Sequence, residues 1–486
     1  MRDAGRVGND SRCAAAVRWL LTGRTERSRK APKARKAPRP LVSSAGRPLE
    51  GGWQKAGIYL GLLILSALLG LFLGALVWVT FQASFFLAQV LWEATTDVLA
   101  GVGIPYAKGV ATFAICTVGG MVVGWCGLHF GGMPEPFMQV LATVRRTGVY
   151  ETAGMGSSAL GVLLPQVFGG AVGLAAGLIG LVAAGCTFIG SSLRLAGLKI
   201  MGLGRRNVRS VCSALVHAPV RQARRRRANR RGANRSGCVE DDVPDCNPLS
   251  YDFRPWAKWV LYSVALVAGI GAFALLTVLL GTQAVIPRFE VPHVAGSQVL
   301  WAIPCILLGW AGIAVFSASS SLCARAEFDL SGHPVLMPLV GGLVLGAVAA
   351  FLPGVQYSGI AQTPALLENW GQMGVAALMA TGFCKFALVP WCIATGWKGG
   401  QIYPCVFAAA ACGLGFSGLT GADPALCLAA TVSTATACLL RSPAFAFVLL
   451  LICFPIECTP LLAIACIAGA ALPVPQAGTA GKGVRH

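Results

Sequence analysis

The chain has 486 residues, 55% of them hydrophobic and only 12% charged, with a mean hydropathy of +0.68. A water-soluble fold of that length would lack the polar surface it needs, so the composition excludes one and requires a membrane. A formal net charge of +20 would suit a nucleic-acid binder, but most of the excess lies in two blocks without interleaved aromatics, Arg24–Arg39 and Arg221–Arg231. Such blocks read as solvated segments that stay cytoplasmic and are drawn to anionic lipid headgroups, so membrane lipids are expected partners and nucleic acid is not.

From the N-terminus, residues 1–52 form a basic tail without the periodic apolar pattern of a core. Its stretch Cys13–Thr22 is interrupted by Arg18 and no small-residue cleavage site follows, so it is not expected to act as a secretory signal. Apolar runs then follow at roughly Ile58–Val90, Gly109–Leu128, Gly161–Cys186, Lys258–Leu280, Val299–Ser320, Pro334–Leu352, Gly374–Ala394, Ile402–Leu419, Ala425–Leu440 and Ala444–Leu472. A spanning helix needs about 20 residues. Several runs are short or broken by Gly and Pro, and breaks survive in lipid only where neighbouring protein or a water-filled cavity satisfies the freed backbone groups. The runs fall into a first membrane repeat, 53–202, and a second, 253–475, separated by a basic polar linker, 203–252, and followed by a short tail, 476–486.

In the first span Gly61, Ala67, Gly70 and Gly74 recur on one face and invite close helix packing. The second span ends at the loop His129–Pro136, where Pro134 or Pro136 fits the first turn of a following helix. The stretch Phe168–Gly185 opens on glycines and continues as an apolar helix, and Gly396–Gly413 repeats that plan far downstream. A helix interrupted inside a membrane directs unsatisfied N–H groups at whatever occupies the break, and its dipole favours negative charge there. Two such ends, one from each half, predict an anion site near the bilayer midplane. The second half opens with Trp256–Leu276, matching the first span in length and glycine placement, and Gly359-Ile360 stands to it as Gly132-Met133 stands to the first half. An inverted internal duplication follows from these matches.

The eighteen cysteines lie mostly singly in apolar runs, with no Cys-x-x-Cys pair, and serve as small hydrophobes. Five scattered histidines are never at metal-ligand spacing, so neither a metal nor a cofactor is expected. Lys385, Lys398, Arg441 and Glu457 fall within or beside apolar runs, where an ionisable group is a functional candidate by default. Of these, Lys398 adjoins the second glycine loop, and Glu457 is placed in the last long helix.

Three motifs, in order, carry a resemblance to a known family. Phe130-Gly-Gly-Met-Pro134 is similar to a Gly-Ser-Gly-Ile-Pro loop, Gly169–Leu178 to Gly-Gly-x-Val-Gly-Pro-Glu-Ala-Gly-Leu, and Gly396–Pro404 to Gly-Trp-x-Gly-Gly-x-Phe-x-Pro, all of the CLC chloride channels and transporters. The stretch Thr434–Ala444 also resembles the family's approach to its penultimate membrane helices, and the likeness covers about 55–200 and 255–472. The resemblance implies an all-α membrane protein, a bundle of tilted and broken helices in two inverted repeats, forming a homodimer with one anion pore per subunit. It also implies anion binding by Gly131, Gly132, Met133 and Pro134, by Gly173, Leu174, Ala175, Ala176 and Gly177, and by Gly399, Gly400, Gln401, Ile402 and Tyr403.

The departures from the family are specific. Ala175 stands where the family has its gating glutamate, Leu174 replaces the proline before it, Gly131 stands at the anion-binding serine, and no tyrosine follows Tyr403. Alanine neither competes with chloride nor accepts a proton. The expected function is therefore passive passage of chloride or a similar small anion, with no enzyme activity. His217-Ala-Pro219 looks like a remnant of a family turn within a segment too basic to span, which keeps open a degenerate, non-transporting scaffold. An intramembrane enzyme is the remote rival, since Ser191-Ser192 and Ser317–Ser321 have no evident histidine partner.

Overall fold

The computed structural model describes residues 52–130, 155–202, 255–280, 288–289, 296–326 and 332–474. The predicted loop Gly131–Pro134, both basic blocks and the His217-Ala-Pro219 turn lie outside them. Among the described residues the architecture is all-helical: α1 Gly52–Gly101, α2 Ala107–Phe130, α3 Met155–Val167, α4 Ala175–Gly202, α5 Pro255–Leu279, α6 Ala302–Arg325, α7 Leu336–Phe351, α8 Gln362–Asn369, α9 Val375–Ala394, α10 Ile402–Thr420, α11 Pro424–Leu440, α12 Pro443–Leu450 and α13 Thr459–Ala471. Six of these are long and apolar enough to cross a bilayer. Their outer faces carry exposed Trp259, Leu266, Val267, Ile270 and Val278 on α5 and exposed Phe72 and Phe86 on α1. Water would not tolerate such a surface and lipid does, so this is a multi-pass integral membrane protein.

Two expected spans are divided. The run Gly161–Cys186 is α3 and α4, parted at Phe168–Leu174, because Gly169 takes a left-handed φ of +78° that ends the first helix. The run Ala444–Leu472 is α12 and α13, parted around Pro455, which has no N–H to continue a helix. Glu457, expected inside the last long helix, is exposed in a 3₁₀ turn, Ile456–Cys458, between them. Arg441 occupies the left-handed cap at the C-terminus of α11, where a cation complements the helix dipole.

The first helices of the two halves pack on each other. A Cβ at Gly70 would run into the backbone of Ala265, and one at Gly74 into that of Gly269, so glycine at both positions lets the axes of α1 and α5 approach. Ser66 Oγ fixes the register by donating to the Leu261 carbonyl at 2.6 Å. Leu62, Leu65, Ile189, Leu193, Leu261 and Ala265 close the seam. In the second half α10 lies in the interior beside α9 and α11, with thirteen of its nineteen residues buried. Its run Ala408–Ala411 gives a helix narrow enough to be surrounded.

Overpacking a tight helix crossing costs about 1–3 kcal/mol. Gly74→Val is therefore expected to lower the melting temperature in detergent, whereas Gly271→Val on the open face of α5, where nothing lies within 4 Å of a new Cβ, leaves it within the error of measurement. Equal shifts for the two would refute this packing.

Candidate functional site

The two glycine loops are built on one plan, residue for residue. After α3 ends at Val167, Gly169 N–H donates to Gln166 O at 3.3 Å and Gly170 N–H to Pro165 O at 2.6 Å. After α9 ends at Ala394, Gly396 (φ +97°) N–H donates to Ile393 O at 3.2 Å and Trp397 N–H to Cys392 O at 2.9 Å. Each pair is a Schellman closure, in which a left-handed residue turns the chain back over the helix end. Four residues beyond each turning glycine, the loops meet. Gly173 N–H donates to Gly400 O at 2.6 Å and Gly400 N–H to Gly173 O at 2.7 Å, an antiparallel pairing. Antiparallel is the sense required of two loops related by inversion in the membrane plane.

Two residues past this clasp, α4 starts at Ala175 and α10 at Ile402. Both helix starts are thus held at one place. The amides of Gly173 and Gly400 are taken up by each other, so the N–H groups left for another acceptor are those of the first turns. The first bonds inside these helices run from Leu178 N–H to Leu174 O at 3.1 Å and from Cys405 N–H to Gln401 O at 3.2 Å, beyond Ala175–Gly177 and Ile402-Tyr403. Gln401, the N-cap of α10, makes no side-chain cap, and Pro404 has no N–H to satisfy. The dipoles give this place a positive potential.

Leu174 and Tyr403 from the two starts pack together with Phe81 and Phe85 of α1, Leu178 and Ile360. The third break predicted at Gly359-Ile360 therefore joins the same site. It is tied in by Tyr357 N–H, which donates to Gly169 O at 3.2 Å, and by Gly359 (φ +89°), whose hydrogen faces the Phe407 side chain of α10.

Lys385 braces that break. It is fully buried, and its Nζ donates to Gly354 O at 3.0 Å and Gln356 O at 2.9 Å and lies 4.2 Å from the centroid of the Phe407 ring. An ammonium with three donors satisfies carbonyls that a broken segment leaves orphaned. Lys385→Met keeps the volume but strands both carbonyls, which costs about 2 kcal/mol. A depressed melting temperature in detergent is the expected result, and an unchanged one would remove Lys385 from this role.

Between the clasped loops lies a small cavity, about 10 Å³ for the centre of a water-sized sphere, walled by Gln166, Val172, Gly173, Leu174, Lys398 and Gly399 with Pro165. Lys398 thus stands where the sequence placed it, beside the second loop. Gln166 was not anticipated, although a polar residue closing an apolar helix directly before a glycine loop was a readable signal. Of the expected site residues, Gly131, Gly132, Met133 and Pro134 lie outside the described residues. Gly173, Leu174, Gly399, Gly400, Gln401, Ile402 and Tyr403 gather here, with Ala175, Ala176 and Gly177 opening α4. Among the described residues no three His, Cys, Asp or Glu side chains group as metal ligands.

Comparison with known proteins gives three kinds of likeness. The family model for voltage gated chloride channels matches residues 249–473. Chloride channel protein CLC-e of Arabidopsis thaliana is 27% identical over 169 residues, 33% of this chain and 23% of that protein, so the match spans under a quarter of the relative's length. A slow cyanobacterial Cl⁻/H⁺ antiporter superposes with a TM-score of 0.58 at 16% identity, covering 84% of this chain and 93% of the other. A CLC-type fluoride/proton antiporter gives 0.51 at 14%, covering 84% and 94%, and a eukaryotic CLC transporter gives 0.53 at 15%, covering 85% and 71%. At these identities what is shared with the solved structures is the architecture.

Proposed function

The chain belongs to the voltage-gated chloride channel family, and from that premise we propose that it lets small anions, chloride foremost, cross the membrane passively where its two glycine loops meet. The observation that carries this reading is the mutual hydrogen bonding of Gly173 and Gly400, which sets two helix starts side by side in the interior of a membrane protein. Backbone amides and aligned dipoles hold a negative ion without any charged side chain. The proposed ligands are the amides that open α4 and α10, with the loop Gly131–Pro134 completing the path.

In the family this chain resembles, proton coupling runs through a glutamate at the start of the helix that is α4 here. Among the described residues the acids are Glu93, Asp97, Glu368, Asp423 and Glu457, and none stands in either glycine loop or on the cavity wall. The residue opening α4 is Ala175. These facts favour passive flow over exchange. The proposed assembly is a homodimer with a path in each subunit, its basic segments lying against anionic lipid. One observation favours a second reading, a non-transporting scaffold: the cavity between the loops holds little more than a water molecule.

Purified protein in chloride-loaded liposomes separates the readings. Chloride efflux driven by its own gradient and unaffected by a proton ionophore is expected. Opposing proton movement in fixed ratio would overturn passivity, and folded protein without flux would favour the scaffold. Ala175→Glu sharpens the test. A glutamate with an ordinary pKa of about 4.3 is ionised at pH 7 and, at a helix N-terminus, remains so to lower pH. Its carboxylate competes with the anion, so flux is expected to fall about tenfold at pH 7 and to recover as the pH drops through the carboxyl's pKa. Flux insensitive to this substitution would place the path elsewhere.

A further inference from the structure

The last turn of α3 carries a group that the backbone site does not use. Gln166 is only 2% exposed, and its Oε1 has no hydrogen-bond partner. Buried amide atoms are nearly always paired, so an orphan points to an occupant of the space beside it. Gln166 also lines the cavity between the clasped loops, a wall it shares with Gly173, Lys398 and Gly399. The oxygen and nitrogen of a glutamine amide occupy equivalent positions, and a half-turn of the terminal torsion exchanges them. Gln166 can therefore present two N–H donors at the point where its oxygen now stands without a partner.

A neutral occupant such as water would satisfy the amide. It would gain little from the cationic Lys398 on the same wall or from the positive ends of α4 and α10 a few residues away. An anion gains from all three. We propose that the Gln166 side chain binds the transported anion, its Nε2 donating a hydrogen bond in the cavity between the two glycine loops. This rests on the anion-passage reading and names a side-chain ligand for it. The amide takes the part of a neutral donor in a chain that has Gly131 where its relatives have a serine hydroxyl. A directional N–H donor favours small, strongly accepting anions such as fluoride and chloride over large, diffuse ones.

The test compares wild type with Gln166→Met, which keeps length and volume without the amide. The readouts are sodium chloride and sodium fluoride binding by titration calorimetry in detergent, melting temperature, and liposome flux. Gln166→Met is expected to keep or raise the melting temperature, because it removes an unpaired buried polar group, while weakening chloride binding about tenfold. Gln166→Glu, equal in shape but anionic, is expected to weaken binding further at pH 7 and serves as the deciding variant if the methionine protein does not fold. Wild-type flux with chloride binding unchanged in these variants would overturn the role of Gln166 alone. A wild type that neither binds nor passes chloride would overturn the functional reading and this inference with it.

Discussion

Two hydrogen bonds, Gly173 N–H to Gly400 O and Gly400 N–H to Gly173 O, are the constraint on which the rest of the molecule depends. Inside a membrane a broken helix leaves peptide groups that lipid cannot satisfy. The clasp satisfies four of them at once and does so between the two halves of the chain. What it leaves over is ordered as well. Two helix starts are closed by side-chain oxygens: Asp423 Oδ1 accepts from Leu426 N–H at 2.8 Å at α11, and Ser442 Oγ accepts from Phe445 N–H at 3.4 Å at α12. At α10 the N-cap residue is Gln401 and no side chain caps. The start of α10, held at the clasp, is thus left without a side-chain cap, and an open start in a low-dielectric interior is a strong local source of positive potential.

The surrounding packing keeps the clasp from sliding. Glycines at Gly70 and Gly74 bring the leading helices of the two halves into backbone contact, which fixes their relative height. Trp397, fully buried directly after the turning glycine, donates from Nε1 to the Pro338 carbonyl at 2.8 Å and so ties the second loop to α7. Lys385 holds the third break against α10 through two carbonyls and the face of Phe407. Among its partners in the described residues there is no carboxylate. A buried amine held by carbonyls and a ring is a way of organising irregular backbone without a carboxylate.

Much of this could be read in the residues. Gly-rich openings followed by alanine-rich apolar runs identify interrupted helices, because only glycine enters the turn freely and only small side chains let a helix be enclosed. The pairing of Gly169–Gly177 with Gly396–Pro404 followed from the repeated glycine pattern, and the close packing at Gly70 and Gly74 from small residues recurring on one helix face. Helix ends were less legible. Hydropathy runs unbroken through Phe168–Leu174, since a left-handed φ at Gly169 changes the direction of the chain without changing its polarity. The split at Pro455 was masked in the same way by Phe454 and Ile456. The partners of Lys385 are main-chain carbonyls, which have no signature in sequence, so its position in α9 was readable and its contacts were not. Gln166 was passed over because one amide in an apolar run carries no period and no motif.

A site made of amides has a further consequence under the proposed reading. Backbone N–H groups do not titrate, and neither does a glutamine side chain, so the affinity of such a site is set by geometry and dipoles rather than by protonation. Coupling an anion to a proton requires some group whose charge changes when the anion moves, because linkage is an exchange of binding free energy between two ligands. With alanine opening α4, leucine before it and glycine at position 131, none of these three positions offers such a group. Of the three, alanine in place of a glutamate is the change that would remove both a proton acceptor and a competing charge. Under the proposed reading, passivity follows from what the start of α4 lacks rather than from anything added to it.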